Sequence, residues 1–188
     1  MSTTPLSRLQ ELLPQLFEST QLPGDRYLRF QLTTEISALF SMEYVQESLL
    51  VPSEQITPIP SMSASVIGLM NSRDKIFCVI DLGQLMGLSP LSTYTRQYHI
   101  VVVRVSQLVP QQASGKQELF LGMAVNQVQG ISRIISDQLK SVQENTKGDF
   151  PVTLTPYLRG YVIEKEQQLL VLEMETIIKK SLEEKQTL

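Results

Sequence analysis

The chain has 188 residues, 42% of them hydrophobic, and 16 Lys plus Arg against 19 Asp plus Glu give a formal net charge of −3. That length suits one domain or two small ones, and the near-neutral balance lacks the basic surplus of a nucleic-acid-binding surface. One Cys and one His exclude an internal disulfide and any zinc site built from Cys and His alone, and the short apolar runs, such as 100–103, leave no candidate membrane span.

Residues 1–26 are predicted as a helical extension followed by a turn. Leu6, Leu9, Leu12, Leu13, Leu16 and Phe17 recur at helical spacing and form one apolar stripe. Thr4 is placed to cap the helix with Pro5 at its first position, while Pro14 predicts a kink or a second helix start. The stripe either packs over the body of the protein or docks a partner. Pro23-Gly24 ends the segment. Met1–Pro5 carries neither a basic nor an apolar signal region, so a cytoplasmic protein is expected.

From residue 26 onward the pattern changes to short β-like runs at 27–32, 37–42, 76–82, 98–105, 119–125, 130–135, 157–163 and 168–174. Turn-rich pieces such as Pro58-Ile59-Pro60-Ser61 and residues 111–116 separate them. Many short strands without long helices between them predict barrels or sandwiches. Helical spacing returns at 174–185 through Met174, Ile177, Ile178 and Leu182.

Within this pattern lies a repeat. A shift of 92 residues takes Gly68 to Gly160, Phe77 to Leu169, Val79 to Val171, Asp81 to Glu173, Leu85 to Ile177 and Met86 to Ile178. A shift of 83 takes Val45-Gln46 to Val128-Gln129. Self-similarity in fixed order predicts two β-barrels of similar plan, side by side.

The repeat carries further residues in order: Ile56-Thr57-Pro58-Ile59-Pro60, then Gly68-Leu69-Met70-Asn71-Ser72-Arg73, then Val79-Ile80-Asp81-Leu82. Leu121-Gly122-Met123-Ala124-Val125-Asn126-Gln127-Val128 and Tyr157-Leu158-Arg159-Gly160 follow in the second half. Together they resemble the CheW-like domain, over roughly 27–182. In that family an I-x-x-x-P stretch leads to G-[VIL]-x-N-L-R-G and then V-x-V-[VI]-D-L. Two departures stand out: Ser72-Arg73-Asp74 replaces L-R-G, and Val125-Asn126 replaces V-D. Asp tolerates left-handed backbone, so the turn is expected to survive. The helical extension adds a likeness to cyanobacterial CheW-like adaptors of phototaxis and pilus motility.

The resemblance implies a mainly β fold: two SH3-like five-stranded β-barrels side by side, with N-terminal and C-terminal helices. The expected division is 1–26 for the extension, 27–97 for the first barrel and 98–188 for the second, with exchange of a terminal strand between barrels left open. It implies an adaptor without catalysis, cofactor or metal. Its partners would be the regulatory domain of a CheA-type histidine kinase and the signalling tip of a methyl-accepting receptor. The partner-contact residues it implies are Val45, Glu47, Asn71, Arg73, Asp74, Val125 and Val128. For Arg73 the structural alternative is an arginine closing its turn on a neighbour, and family analogy makes that neighbour Glu47.

Other chemistry-bearing residues read as structural. Asp81, in an apolar strand, is expected to satisfy backbone N–H groups at a barrel rim, Cys78 to be a buried small hydrophobe, and His99 to begin a strand without a catalytic partner. Phosphate-cradling G-x-x-x-x-G-K-[ST] and G-x-G-x-x-G motifs are absent. Two other readings stay open: a small enzyme around His99, Cys78 or Asp81, and an SH3-like binding module outside chemotaxis.

Overall fold

The computed structural model describes residues 23–92, 95–106, 118–142 and 150–186. The predicted stripe at 6–17 and the predicted turn at 111–116 lie outside the described residues. Among those described, the strands are β1 (Asp25–Gln31), β2 (Ser37–Ser41), β3 (Val45–Pro52), β4 (Val66–Ser72), β5 (Lys75–Asp81), β6 (Gln97–Arg104), β7 (Phe120–Val125), β8 (Gln127–Ile134), β9 (Leu158–Glu164) and β10 (Gln167–Leu172). Helix α1 (Leu82–Leu85) follows β5 and helix α2 (Met174–Gln186) follows β10. Single 3-10 turns at Ser53–Gln55 and Ser136–Gln138 follow β3 and β8.

Two of these strands, β3 and β4, were not among the runs predicted from periodicity. In β3 the polar Gln46, Glu47 and Ser48 interrupt the apolar signal, and the strand stands at the end of its sheet with one face in solvent. Gly68 and Asn71 dilute the pattern of β4 in the same way. Val45-Gln46-Glu47 opens β3.

The strands form two five-stranded sheets, ordered β8-β1-β2-β10-β9 and β3-β6-β7-β5-β4. Read in those orders, both sheets pair antiparallel, antiparallel, parallel, antiparallel. Each then curls until the chain beyond its first strand meets its last. Thr57 exchanges two 2.8 Å hydrogen bonds with Leu69, and Lys140 exchanges bonds of 2.9 and 3.0 Å with Tyr161. These bridges close the sheets into the β3 barrel and the β1 barrel.

The barrels do not follow the expected division at residue 97. Strands β1–β5 and β6–β10 are the two sequence repeats, but each gives its first two strands to one barrel and its last three to the other. The reason is the parallel step: β5 pairs with β7 and β10 with β2, so each hairpin from one repeat completes its sheet on a strand of the other.

The shift of 92 residues is now explained by register. Gly68 faces Val79 and Met70 faces Phe77; Gly160 faces Val171 and Val162 faces Leu169. The repeated glycine lies at the closing bridge. A Cβ on Gly68 would stand 2.3 Å from the Thr57 carbonyl oxygen, and one on Gly160 2.5 Å from that of Lys140. Only glycine lets the two backbones meet there.

Alternation along the strands sorts the apolar residues into three cores. Phe77 and Val79 point into the β3 barrel with Val51, Ile56, Met70, Ile100 and Val102. Tyr27, Leu39, Val162, Leu169 and Val171 fill the β1 barrel. The alternate residues of both sheets, among them Cys78, Ile80, Val101, Met123, Phe30, Phe40 and Leu170, meet in a seam between the barrels. Strands buried on both faces read as continuous apolar runs, which is why 76–82 and 98–105 stood out. Leu85 and Met86 after β5, and Ile177 and Ile178 in α2, enter the same seam.

Asp81 is buried and caps α1. Its Oδ1 accepts from the Gln84 N–H at 3.0 Å and its Oδ2 from the Leu91 N–H at 2.7 Å. Asp81→Ala leaves both donors unpaired and is expected to lower stability by about 2–3 kcal/mol in urea unfolding, with Asp81→Asn recovering part of the loss.

Candidate partner-binding site

The β4–β5 hairpin turns on two residues, Arg73 and Asp74, with φ of 46° and 64°, between the paired Ser72 and Lys75. Two successive positive φ values suit a hairpin because they match the right-handed twist of the strands. Asp74 therefore does adopt left-handed backbone where the family has glycine. The turn recurs at Lys165-Glu166, with φ of 48° and 65°. Left-handed backbone costs a non-glycine residue roughly 1–2 kcal/mol, and glycine returns part of that gain as chain entropy. Asp74→Gly is thus expected to stabilise the protein by about 0.5–1 kcal/mol, visible as a higher urea midpoint.

The turn holds Arg73 over β3. Its Nη1 lies 3.5 Å from Oε2 of Glu47, a pair that joins the two end strands of the sheet. The Arg73 side chain is 82% exposed and that of Glu47 17%. A guanidinium held by one long contact, with its other donors facing solvent, is arranged to meet a carboxylate or carbonyl from outside. Asn71 is exposed and paired across the hairpin with Ile76. Lys75 lays its Nζ 4.0 Å above the Phe120 ring, which fixes that side of the hairpin.

Of the residues implied by resemblance, Glu47, Asn71, Arg73 and Asp74 therefore share one end of the β3 barrel. The valines do not join them as surface. Val125 is 3% exposed and belongs to the seam core, where it offers nothing to a partner. Val45 and Val128 are half-buried and pack against the seam from β3 and β8. Asn126 spans the barrels: its N–H donates to the Gln31 carbonyl at 3.0 Å and its side-chain amide to Gln31 Oε1 at 3.5 Å. The family's aspartate has no amide to donate there.

An arginine that the sequence did not single out makes an informative contrast. Arg29 on β1 pairs with Glu164 at 2.7 Å, donates to Gln129 at 2.9 Å and also bonds Gln167. It is 22% exposed. Arg104 on β6 likewise donates to Gln46 at 2.7 Å. Gln46 and Gln129 are the glutamines aligned by the shift of 83, and each accepts from an arginine on the strand beside it. The repeated Val-Gln was the visible trace of this arrangement.

Tyr44 packs against the seam, and its pKa is raised above the ordinary 10.0, first by burial and then by Glu43, Glu175 and Glu173, against a lowering by Arg159. The unfolded chain ionises this phenol first, so its contribution to stability is complete below pH 10.0 and falls as pH rises through the raised folded value. Urea midpoints measured across the alkaline range should fall less steeply for Tyr44→Phe than for the parent.

His99 lies in β6, paired with Leu50 and Val125, and Cys78 is buried in the seam. Among the described residues no group of three His, Cys, Asp or Glu gathers to hold a metal, and no helix is long and apolar enough to cross a membrane. Beside β1 and β2 a depression of about 460 Å³ sets Asp25 and Glu43 against Arg26 and Arg159.

Two closed barrels sharing a seam, with an exposed arginine on a left-handed turn, can be set against known proteins. Residues 26–182 match the CheW-like domain. The chain belongs to the CheW-like family. Its fold is similar to that of the scaffolding protein CheW of Thermoanaerobacter tengcongensis, with a TM-score of 0.63 and 18% identity over 82% of this chain and 92% of that one. No curated protein matches it. The extension at 1–25 precedes the family match.

Proposed function

We propose that this CheW-like chain is a non-catalytic adaptor coupling methyl-accepting chemotaxis-type receptors to a CheA-type histidine kinase. The observation that carries the reading is Arg73: exposed, presented by a two-residue left-handed turn, and paired with Glu47 on a CheW-like double barrel. An interface arginine so placed recognises a carboxylate or carbonyl at a fixed angle. The mechanism is geometric. Receptor tip and kinase regulatory domain are held side by side, and simultaneous contacts raise their effective concentration. No cofactor or nucleic acid is needed, and the site of action is the cytoplasmic face of receptor arrays. The output we favour is taxis or pilus motility, including phototaxis, in line with the cyanobacterial likeness of the sequence.

Calorimetric titration of the chain against the regulatory domain of a CheA-type kinase from the same organism tests this. Saturable one-to-one binding is expected. A folded chain that is silent against every such kinase of its organism removes the adaptor reading and leaves the fold.

A further inference from the structure

The two barrels differ at one end. Where β6 and β4 begin, Tyr98, Ile67 and Leu91 pack over the core of the β3 barrel, and Asp81 holds the Leu91 N–H. At the matching end of the β1 barrel, the shift of 92 puts Arg159 in place of Ile67 and Glu173 in place of Asp81. There the chain leaves as α2, which turns Ile177 and Ile178 into the seam. Where β1 begins, β2 ends and β9 begins lies the depression of about 460 Å³. Tyr27 lines it. The residue is 7% exposed and its ring belongs to the barrel core, yet its hydroxyl makes no hydrogen bond among the described residues. A buried tyrosine ordinarily gives its hydroxyl a partner. The Tyr27 oxygen is not wholly covered, so its open side meets the depression. Arg26, Arg159, Asp25 and Glu43 form the exposed walls. Neither guanidinium makes a hydrogen bond or an ion pair among the described residues, whereas Arg29 and Arg104 make both.

We propose that this depression is a binding site for a free α-amino acid. The ligand's carboxylate lies between the Arg26 and Arg159 guanidiniums, its ammonium group against Asp25 and Glu43, and the Tyr27 hydroxyl donates to the carboxylate from the base. Three arguments choose this ligand. The first is charge: guanidiniums recognise a carboxylate and carboxylates an ammonium group, so walls carrying both disfavour an ion of a single sign. A zwitterion satisfies both at once. The second is size: the volume falls in the range of small-molecule sites, roughly 300–1,000 Å³, and the mouths of β-barrels are among the places that hold them. The third is Tyr27. A hydroxyl on so covered a side chain is reached by a small polar group and not by the flat face of a partner protein. The site stands on the β1 barrel, whereas Arg73 and Glu47 stand on the other, so it does not rest on the adaptor reading.

The test is calorimetric titration of the full chain with each of the standard α-amino acids. Saturable one-to-one binding of at least one of them is expected, with a Kd of about 1 mM or lower. The tightest binder is then compared with its N-acetyl derivative, which lacks the ammonium group, and with its amide, which lacks the carboxylate. Each should bind at least about tenfold more weakly. Arg159→Gln is expected to weaken the parent amino acid about thirtyfold, the loss of a charge-assisted pair. Tyr27→Phe keeps the ring in the core and should weaken it about fivefold, with the melting temperature of the free chain unchanged. Silence from every amino acid up to about 10 mM would overturn the site. So would equal binding of the N-acetyl derivative or the amide, or equal affinity in either variant. No kinase or receptor enters the titration, so the adaptor reading stands or falls separately.

Discussion

Gly160→Ala is expected to lower the stability of the protein by about 3–5 kcal/mol, and Gly68→Ala by a similar amount. The added methyl on Gly160 would meet the Lys140 carbonyl oxygen at 2.5 Å and Leu139 Cδ1 at 2.9 Å. The first obstacle is backbone and cannot swing aside. The Lys140–Tyr161 bridge must open, which loses two hydrogen bonds worth about 1 kcal/mol each and adds overpacking strain of about 1–3 kcal/mol. Gly130 is the control: its φ is +129°, but nothing lies within 4 Å of its Cβ position. Gly130→Ala should thus cost only its backbone strain, about 1–2 kcal/mol. Urea unfolding of the three variants checks the order. A Gly160→Ala midpoint equal to the parent's would mean that the bridge does not close this barrel.

Arg73→Ala should weaken kinase or receptor binding by about thirtyfold, the ~2 kcal/mol of an interface hot spot, and leave the melting temperature nearly unchanged. Its pair with Glu47 is long and its guanidinium exposed, and such surface pairs contribute about 0–1 kcal/mol. Arg29→Ala should do the opposite. It removes three side-chain partners from a largely covered guanidinium and is expected to cost about 2–3 kcal/mol of stability, with binding intact wherever the variant is folded. Thermal melts and calorimetric titration of both variants separate the two roles. Unfolding by Arg73→Ala would make Arg73 the structural arginine and remove it from the contact surface.

The Arg73–Glu47 pair was readable only through family likeness, because 26 residues of chain separate the partners and no local spacing joins them. Arg29 gave no signal at all: its partners Gln129, Glu164 and Gln167 lie 100, 135 and 138 positions away along the chain. Val125 shows the reverse failure. A motif position was legible, but whether its side chain faces a partner or the seam depends on the second sheet.

Periodicity, turn residues and the repeat of Gly68 at Gly160 were enough to establish many short strands, two similar barrels and a helix beginning near Met174. These are consequences of local steric preference and of duplicated order along the chain. The path of the chain between the barrels was decided elsewhere. Parallel pairing of β5 with β7 and of β10 with β2 divides each repeat between both bodies, and it depends on burying Cys78, Ile80, Met123, Ala38 and Leu170 in a common seam. Apolar residues on the two faces of a strand look alike in sequence. Which face lines a barrel and which fills the seam is settled only when the second sheet arrives to exclude water from it.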